Sequence, residues 1–243
     1  MARRLLFAAA LLLSAATALA NPHEKTLANG LRVIVQEDRR APTVVHMVWY
    51  RAGSMDEVDG TSGVAHVLEH MMFKGTKTLK QGEFNKRVAA AGGRDNAFTS
   101  LDYTAYFQQV PSARLGEMMS LEADRMANLV LDAKEFEQEI RVVMEERRLR
   151  TEDNPQAQVH EKQMAAAFQA HPYRRPIIGW MNDLETLGVA DAKAWYKRWY
   201  APNNAVLVVA GDVKADEIFA LAQRYYGGIK PHALPARKRF SEP

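Results

Sequence analysis

Cysteine is missing from all 243 residues. No disulfide can brace the fold, so a hydrophobic core has to hold it together. The same absence narrows the metal chemistry. A cysteine-rich structural zinc site is excluded, and only His, Asp and Glu remain as strong zinc donors. A charge bias is also missing. Lys and Arg number 32 against 29 Asp and Glu, and two of the basic residues, Arg3 and Arg4, stand at the very start. Without them the balance is close to neutral, which leaves no compositional case for a nucleic-acid partner. Beyond the first twenty residues no apolar run approaches the roughly 20 residues a membrane helix needs, so no stable span is expected there. What remains is 47% hydrophobic and 25% charged. That is ordinary for a soluble chain long enough for one large domain or two small ones.

The first twenty residues differ from the rest. Arg3-Arg4 is basic, Leu5 to Leu13 is wholly apolar, and Ala18-Leu19-Ala20 offers a small-x-small cleavage site. This is the pattern of a secretory signal peptide over residues 1–20. The apolar run is short for a membrane anchor, so cleavage is expected, with the mature protein exported to the periplasm or secreted.

Asn29-Gly30 between two apolar runs predicts a hairpin, and Val44 to Tyr50 reads as another strand. Gly53 to Gly60 is a polar loop, after which Thr61-Ser62 is expected to cap a helix running to about Gly75. A second helix spans about Gln81 to Ala91 and ends at Gly92-Gly93. Arg94 to Ser100 and Tyr103 to Val110 read as paired strands. Ser112 opens a helix that shows Leu115, Met118, Met119 and Met126 to a core, where simple packing is the expected role of the methionines. Ala133 to about Arg150 is a charged helix with an apolar stripe of Phe136, Ile140 and Val143. Further helices are expected from Asn154-Pro155, over Asp191 to Tyr200 and over Lys214 to Tyr226, with a buried strand at Ala205 to Ala210. Residues 230–243, with three prolines and an Arg-Lys-Arg run, read as a linker-like or unstructured tail. Strands early and late, helices between, and no strict βαβ alternation indicate an α+β domain over residues 21–229 with a mainly antiparallel or mixed sheet.

One stretch carries chemistry. His66-Val67-Leu68-Glu69-His70 has the order H-x-x-E-H. Residues four apart stack on one helix face, so His66 and His70 can hold one metal ion between them. Glu69 lies beside that face and can reach a water on the metal, which is the minimum equipment for metal-assisted hydrolysis. Burying both imidazoles without a metal among Val64, Val67, Leu68, Met71 and Met72 would leave polar ring nitrogens in need of partners. Catalytic zinc takes three protein ligands. With no cysteine, the third should be a carboxylate, and Glu139, Glu145 and Glu146 are the candidates. Glu139 and Glu146 share a helix face, while Glu145 is turned about 100° away from Glu146. Spacing alone does not choose between them. The run Glu145-Glu146-Arg147-Arg148 also makes sense as a solvated charged face.

His66 to His70 followed by Met71-Met72-Phe73-Lys74-Gly75-Thr76 resembles the zinc helix of the pitrilysin and mitochondrial-processing-peptidase family of inverzincins. That family carries a downstream E-x6-E pair, which Glu139 and Glu146 match. The resemblance implies one zinc ion held by His66, His70 and Glu146, with Glu139 supporting the catalytic site and Glu69 as the base that activates the zinc-bound water. Gly92 to Ser100 is similar to the family's substrate-binding edge strand. This implies that an extended peptide lies against Asn96, Ala97, Phe98 and Thr99 by β-augmentation. Tyr200-Ala201-Pro202-Asn203-Asn204-Ala205, leading to Gly211-Asp212, resembles a later family stretch. The likeness runs from about Leu27 to Ile229 and implies a zinc endopeptidase acting on peptides or unfolded segments. Full-length members carry a second homologous half, so a partner half is expected. The alternative is a non-catalytic peptide-binding or scaffold half. A lyase-type use of H-x-x-E-H, as in ribosylhomocysteine cleavage, needs a cysteine that this chain lacks.

Overall fold

Residues 21–243 are described by a computed structural model, and the signal peptide read at residues 1–20 lies outside the described residues. The Asn29-Gly30 turn forms as the local sequence requires. Gly30 adopts φ +86°, and the flanking strands β1 (His23–Thr26) and β2 (Arg32–Glu37) pair antiparallel. A side chain at Gly30 would collide with Asn203, whose Cβ lies 2.7 Å from where it would start.

The chain continues through β3 (Thr43–Tyr50), α1 (Val64–Met71), α2 (Glu83–Ala90), β4 (Arg94–Thr99) and β5 (Thr104–Pro111). Then come α3 (Leu115–Asn128), α4 (Ala133–Arg147) and α5 (Pro155–Ala167). A short helix that no apolar pattern announces, α6 (Met181–Thr186), precedes α7 (Val189–Trp199), β6 (Ala205–Gly211) and α8 (Ala215–Tyr226). The fold is α+β. Its six strands form one mixed sheet in the order β1-β2-β6-β3-β5-β4. β2 and β6 run parallel, and the other pairs run antiparallel. β4 is therefore an edge strand.

Alternation along the strands decides where the core lies. Val44, Val48 and Tyr50 of β3 and Ala205, Leu207 and Val209 of β6 are buried. They join Val67, Leu68 and Met71 of α1, Met118 and Met119 of α3, Trp195 and Trp199 of α7, and Ile218 and Ala222 of α8 in one core. The methionines of α3 pack there, as expected. The strand expected to be buried at Ala205 to Ala210 is buried on one face only. Val206 and Val208, with Val45, Met47 and Trp49 of β3, are half-buried on the opposite face and lie outside that core.

Three local expectations change. Thr61-Ser62 does not cap α1. Gly63 precedes the helix with φ +90°. Glu57 reaches in from the preceding loop and accepts from the N–H groups of Gly63 and Ala65, both at 2.9 Å. The Ser62 hydroxyl instead donates to Asp183 at 2.5 Å. A longer-range carboxylate thus satisfies donors that a local side chain was expected to take. Regular helix also ends earlier than the pattern suggests, at Met71 for α1 and at Arg147 for α4, where a π-turn over Arg148–Glu152 follows. Residues 230–243 hold neither helix nor strand but are tied down. Arg237 pairs with Asp56 at 2.7 Å and donates to the Arg51 carbonyl at 2.6 Å.

Candidate metal centre

Helix α1 buries Val64, Ala65, Val67, Leu68 and Met71. That burial fixes the helix's rotation and so directs His66 and His70 to one side, with ring centroids 4.8 Å apart. Helix α4 meets that side. Its start is set by Asp132, whose carboxylate accepts from the N–H groups of Lys134 and Glu135 at 2.9 and 3.1 Å. Its buried residues Phe136, Glu139, Val143 and Arg147 mark the inward face. Glu146 continues that face.

Three donors converge. Glu146 Oε2 lies 3.4 Å from His70 Nε2, and Glu146 Oε1 lies 3.8 Å from His66 Nε2. One ligand atom from each residue falls within 4.8 Å of the others. Ligands about 2.0–2.1 Å from a tetrahedral zinc ion stand roughly 3.3 Å apart, so this set needs only small adjustments to hold one. The donor chemistry also fits. Glu139 Oε1 accepts from His70 Nδ1 at 2.8 Å, which leaves His70 Nε2 free to ligate. Lys74 Nζ pairs with the other Glu139 oxygen. Glu145 is turned away, mostly exposed and paired with Arg148. Of the run Glu145 to Arg148, read as a possible solvated face, Arg147 is also inward. It is 5% exposed and bonds both oxygens of Glu161 and the Gly179 carbonyl.

The groups of the site shift in different directions. Burial, with the neighbouring His70, pulls the His66 imidazole down to about 4. Burial also opposes charge on His70, but hydrogen bonds to Glu139 and Glu146 outweigh it and raise that ring to about 9. The His70 hydrogen bond, aided by Lys74, holds the Glu139 carboxyl down at about 2. Glu146 is lowered chiefly by its hydrogen bond to His70. Glu69 goes the other way. Burial raises its carboxyl, and a hydrogen bond from Thr99 offsets part of the rise.

A cleft of about 670 Å³ opens over the three donors and Glu69. Asn96, Ala97, Phe98 and Thr99 of edge strand β4 form one wall, and Met164, Tyr173 and Ile177 stand on others. Of the residues singled out in the sequence for the site, His66, Glu69, His70, Glu146 and Asn96 to Thr99 lie on this cleft, while Glu139 sits behind His70 and Glu145 points away from it. Sequence reasoning missed Lys74 and Arg150. Lys74 lies beyond the end of α1 and meets Glu139 only through tertiary packing, whereas Arg150 follows Glu146 by four positions and pairs with its Oε1 at 2.6 Å. That i,i+4 signal was available. The wall from α5 and the Tyr173 segment carried no such signal.

Comparisons with known proteins point the same way. A family profile described as insulinase, peptidase family M16, matches residues 32–180, and one described as the peptidase M16 inactive domain matches residues 186–243. The zinc protease PqqE of Helicobacter pylori is 40% identical over 210 residues, which are 86% of this chain and 47% of that protein. The probable mitochondrial-processing peptidase subunit beta of Schizosaccharomyces pombe is 31% identical over 219 residues, 90% of this chain and 48% of that protein. The crystal structure of a protease from Helicobacter pylori superposes with a TM-score of 0.89 at 38% identity, covering 93% of this chain and 55% of that one. The periplasmic protease PqqL of Escherichia coli does so with a TM-score of 0.84 at 26% identity, covering 92% of this chain and 25% of that one. The chain spans about half the length of the curated relatives it matches.

Proposed function

Because this chain belongs to peptidase family M16, a family of zinc proteases, we propose that it is the zinc-binding half of an endopeptidase acting on peptides or unfolded polypeptide segments. One observation carries the reading: one ligand atom from each of His66, His70 and Glu146 lies within 4.8 Å of the others beside Glu69, on a cleft walled by an edge strand of the sheet. One zinc ion, held by His66, His70 and Glu146, would supply Lewis-acid polarisation of a carbonyl and make water a stronger acid.

The chain's own residues do the rest. Glu139 accepts the His70 Nδ1 proton and so fixes that ring's tautomer. A peptide extends along β4 and pairs its backbone with the strand's free edge at Asn96 to Thr99, which brings its carbonyl over Glu69. Glu69 takes a proton from the attacking water on one carboxylate oxygen and returns it to the leaving amine. The matching experiment is zinc analysis and peptide cleavage by the full-length protein and its Glu69→Gln variant. The variant should keep one zinc per chain and lose at least a hundredfold in kcat. Turnover at the wild-type rate would overturn the assignment of the base.

The remaining half seen in longer relatives is the proposed partner. Its proposed seat is the half-exposed apolar sheet face of Val45, Met47, Trp49, Val206 and Val208, whose covering would remove that apolar surface from water. Export to the periplasm is supported by the leader pattern of residues 1–20 and by PqqL, described as a periplasmic protease. A non-catalytic scaffold role is favoured only by the description of the second family profile as an inactive domain. The complete set of His66, Glu69, His70 and Glu146 weighs against it.

A further inference from the structure

Thr99 differs from its neighbours on β4. Its hydroxyl faces Glu69 and donates to Oε2 at 2.5 Å, across 30 positions of sequence. Among the described residues no other hydrogen bond reaches that carboxylate. Glu69 itself is only 9% exposed, so few water contacts compete for its orientation. A glutamate side chain turns about three bonds, whereas a general base works only when held within about 0.5 Å and 10–20° of the productive pose. Threonine suits the holding task, because its β-branch restricts χ1 and makes the hydroxyl a stiff donor. The strand beneath it is anchored. Thr99 sits opposite Thr104 in the β4–β5 pair, and Thr104 donates to the Ala52 carbonyl at 3.0 Å.

We propose that Thr99 is a positioning residue for the base: its hydroxyl ties down Glu69 Oε2 and leaves Oε1 as the single oxygen able to receive the water's proton. The proposal rests on Glu69 being the base, and it gives β4 a second task. The strand that lines up the peptide also aims the carboxylate, so substrate and base share one rigid reference. The Thr99 side chain then contributes to orientation, while its backbone remains part of the edge that pairs with the peptide.

The test uses the full-length protein with Thr99→Val, Thr99→Ala and Thr99→Ser, two deletions of the hydroxyl and one retention. Zinc content and melting temperature should match wild type in all three. Val and Ala should lower kcat about tenfold to a hundredfold with KM unchanged, as expected when a reacting group is misplaced by about 1 Å. Ser should restore kcat to within about threefold. Crystal structures of Val and Ala should show the Glu69 carboxylate turned from its wild-type position. A rise in KM at constant kcat would assign Thr99 to substrate contact, and unchanged kinetics or an unmoved carboxylate would end the proposal. If wild type binds zinc but cleaves no peptide, the peptidase reading fails. The carboxylate's position in Val and Ala then still decides whether Thr99 holds Glu69.

Discussion

Glu139 and Glu146 are the same residue type seven positions apart on α4, and they engage His70 from opposite ring nitrogens. Position on the ring separates their roles. Glu146 faces the shared space between His66 and His70, whereas Glu139 sits behind His70 and is neutralised by Lys74. The two should respond differently to the same substitution. Glu139→Gln keeps an oxygen able to accept from His70 Nδ1 but loses the charge, so zinc affinity should fall about 10- to 100-fold. Glu146→Gln removes a ligand and should cost substantially more. Competition with a chromophoric chelator measures both, and equal losses would contradict the division of labour.

At the scale of elements, the cleft depends on a close crossing at the start of α1. Gly63 and Gly179 have φ +90° and +89°. A Cβ at Gly63 would stand 2.6 Å from the Ile178 carbonyl oxygen, and one at Gly179 would stand 2.5 Å from the Ser62 carbonyl oxygen. Only glycine accepts both the backbone conformation and the approach. The crossing is pinned by Asp183, which accepts from the Ser62 N–H and hydroxyl, and by the Trp180 N–H, which donates to that hydroxyl. It brings the Ile177-Ile178 wall against α1. Gly63→Ala should therefore lower the melting temperature by several degrees, at roughly 2–4 °C per kcal/mol for a domain of this size, and weaken zinc binding at the same time. Thermal unfolding with and without zinc checks this. A variant as stable as wild type would show that the two segments can part at little cost.

Across the whole molecule, a buried polar chain ties the sheet to its helices. His46 of β3 bonds Gln108 of β5 at 2.6 Å and Tyr226 of α8 at 3.0 Å. Gln108 donates to Glu122 of α3 at 3.0 Å, and Arg125 pairs with the same Glu122 oxygen at 2.5 Å. Arg125 is 1% exposed and lies 3.8 Å over the Phe84 ring, with Phe73 and Tyr106 close by. Among the described residues its Nε and Nη1 have no hydrogen-bond partner, so aromatic faces take the place of acceptors. Arg125→Ala would leave Glu122 without its cationic partner in the interior, at a cost of about 3–5 kcal/mol. Urea denaturation should register that loss, and a change below about 1 kcal/mol would mean that the pair is not a structural tie.

Much of the local structure was legible in the residues themselves. Asn29-Gly30 specified a hairpin through a backbone conformation that glycine supplies. The periodicity of α1 put His66, Glu69 and His70 on neighbouring positions of one helix, because a turn of helix has a fixed length. What local periodicity could not decide is which distant groups meet. Glu145 and Glu146 differ only in rotation about α4, and the packing of that helix on α1 selected Glu146. The capping of α1 by Glu57, the inward turn of Arg147 and the reach of Thr99 to Glu69 likewise depend on contacts between segments far apart in sequence. The same holds for β6, whose continuous apolar run announced two buried faces where the described residues cover one. Residue order determines periodicity and turn chemistry, since both are set by neighbouring atoms along the chain. Tertiary packing determined which side chains meet and where the cleft opens, since only burial of the helix faces against the sheet fixes their rotation.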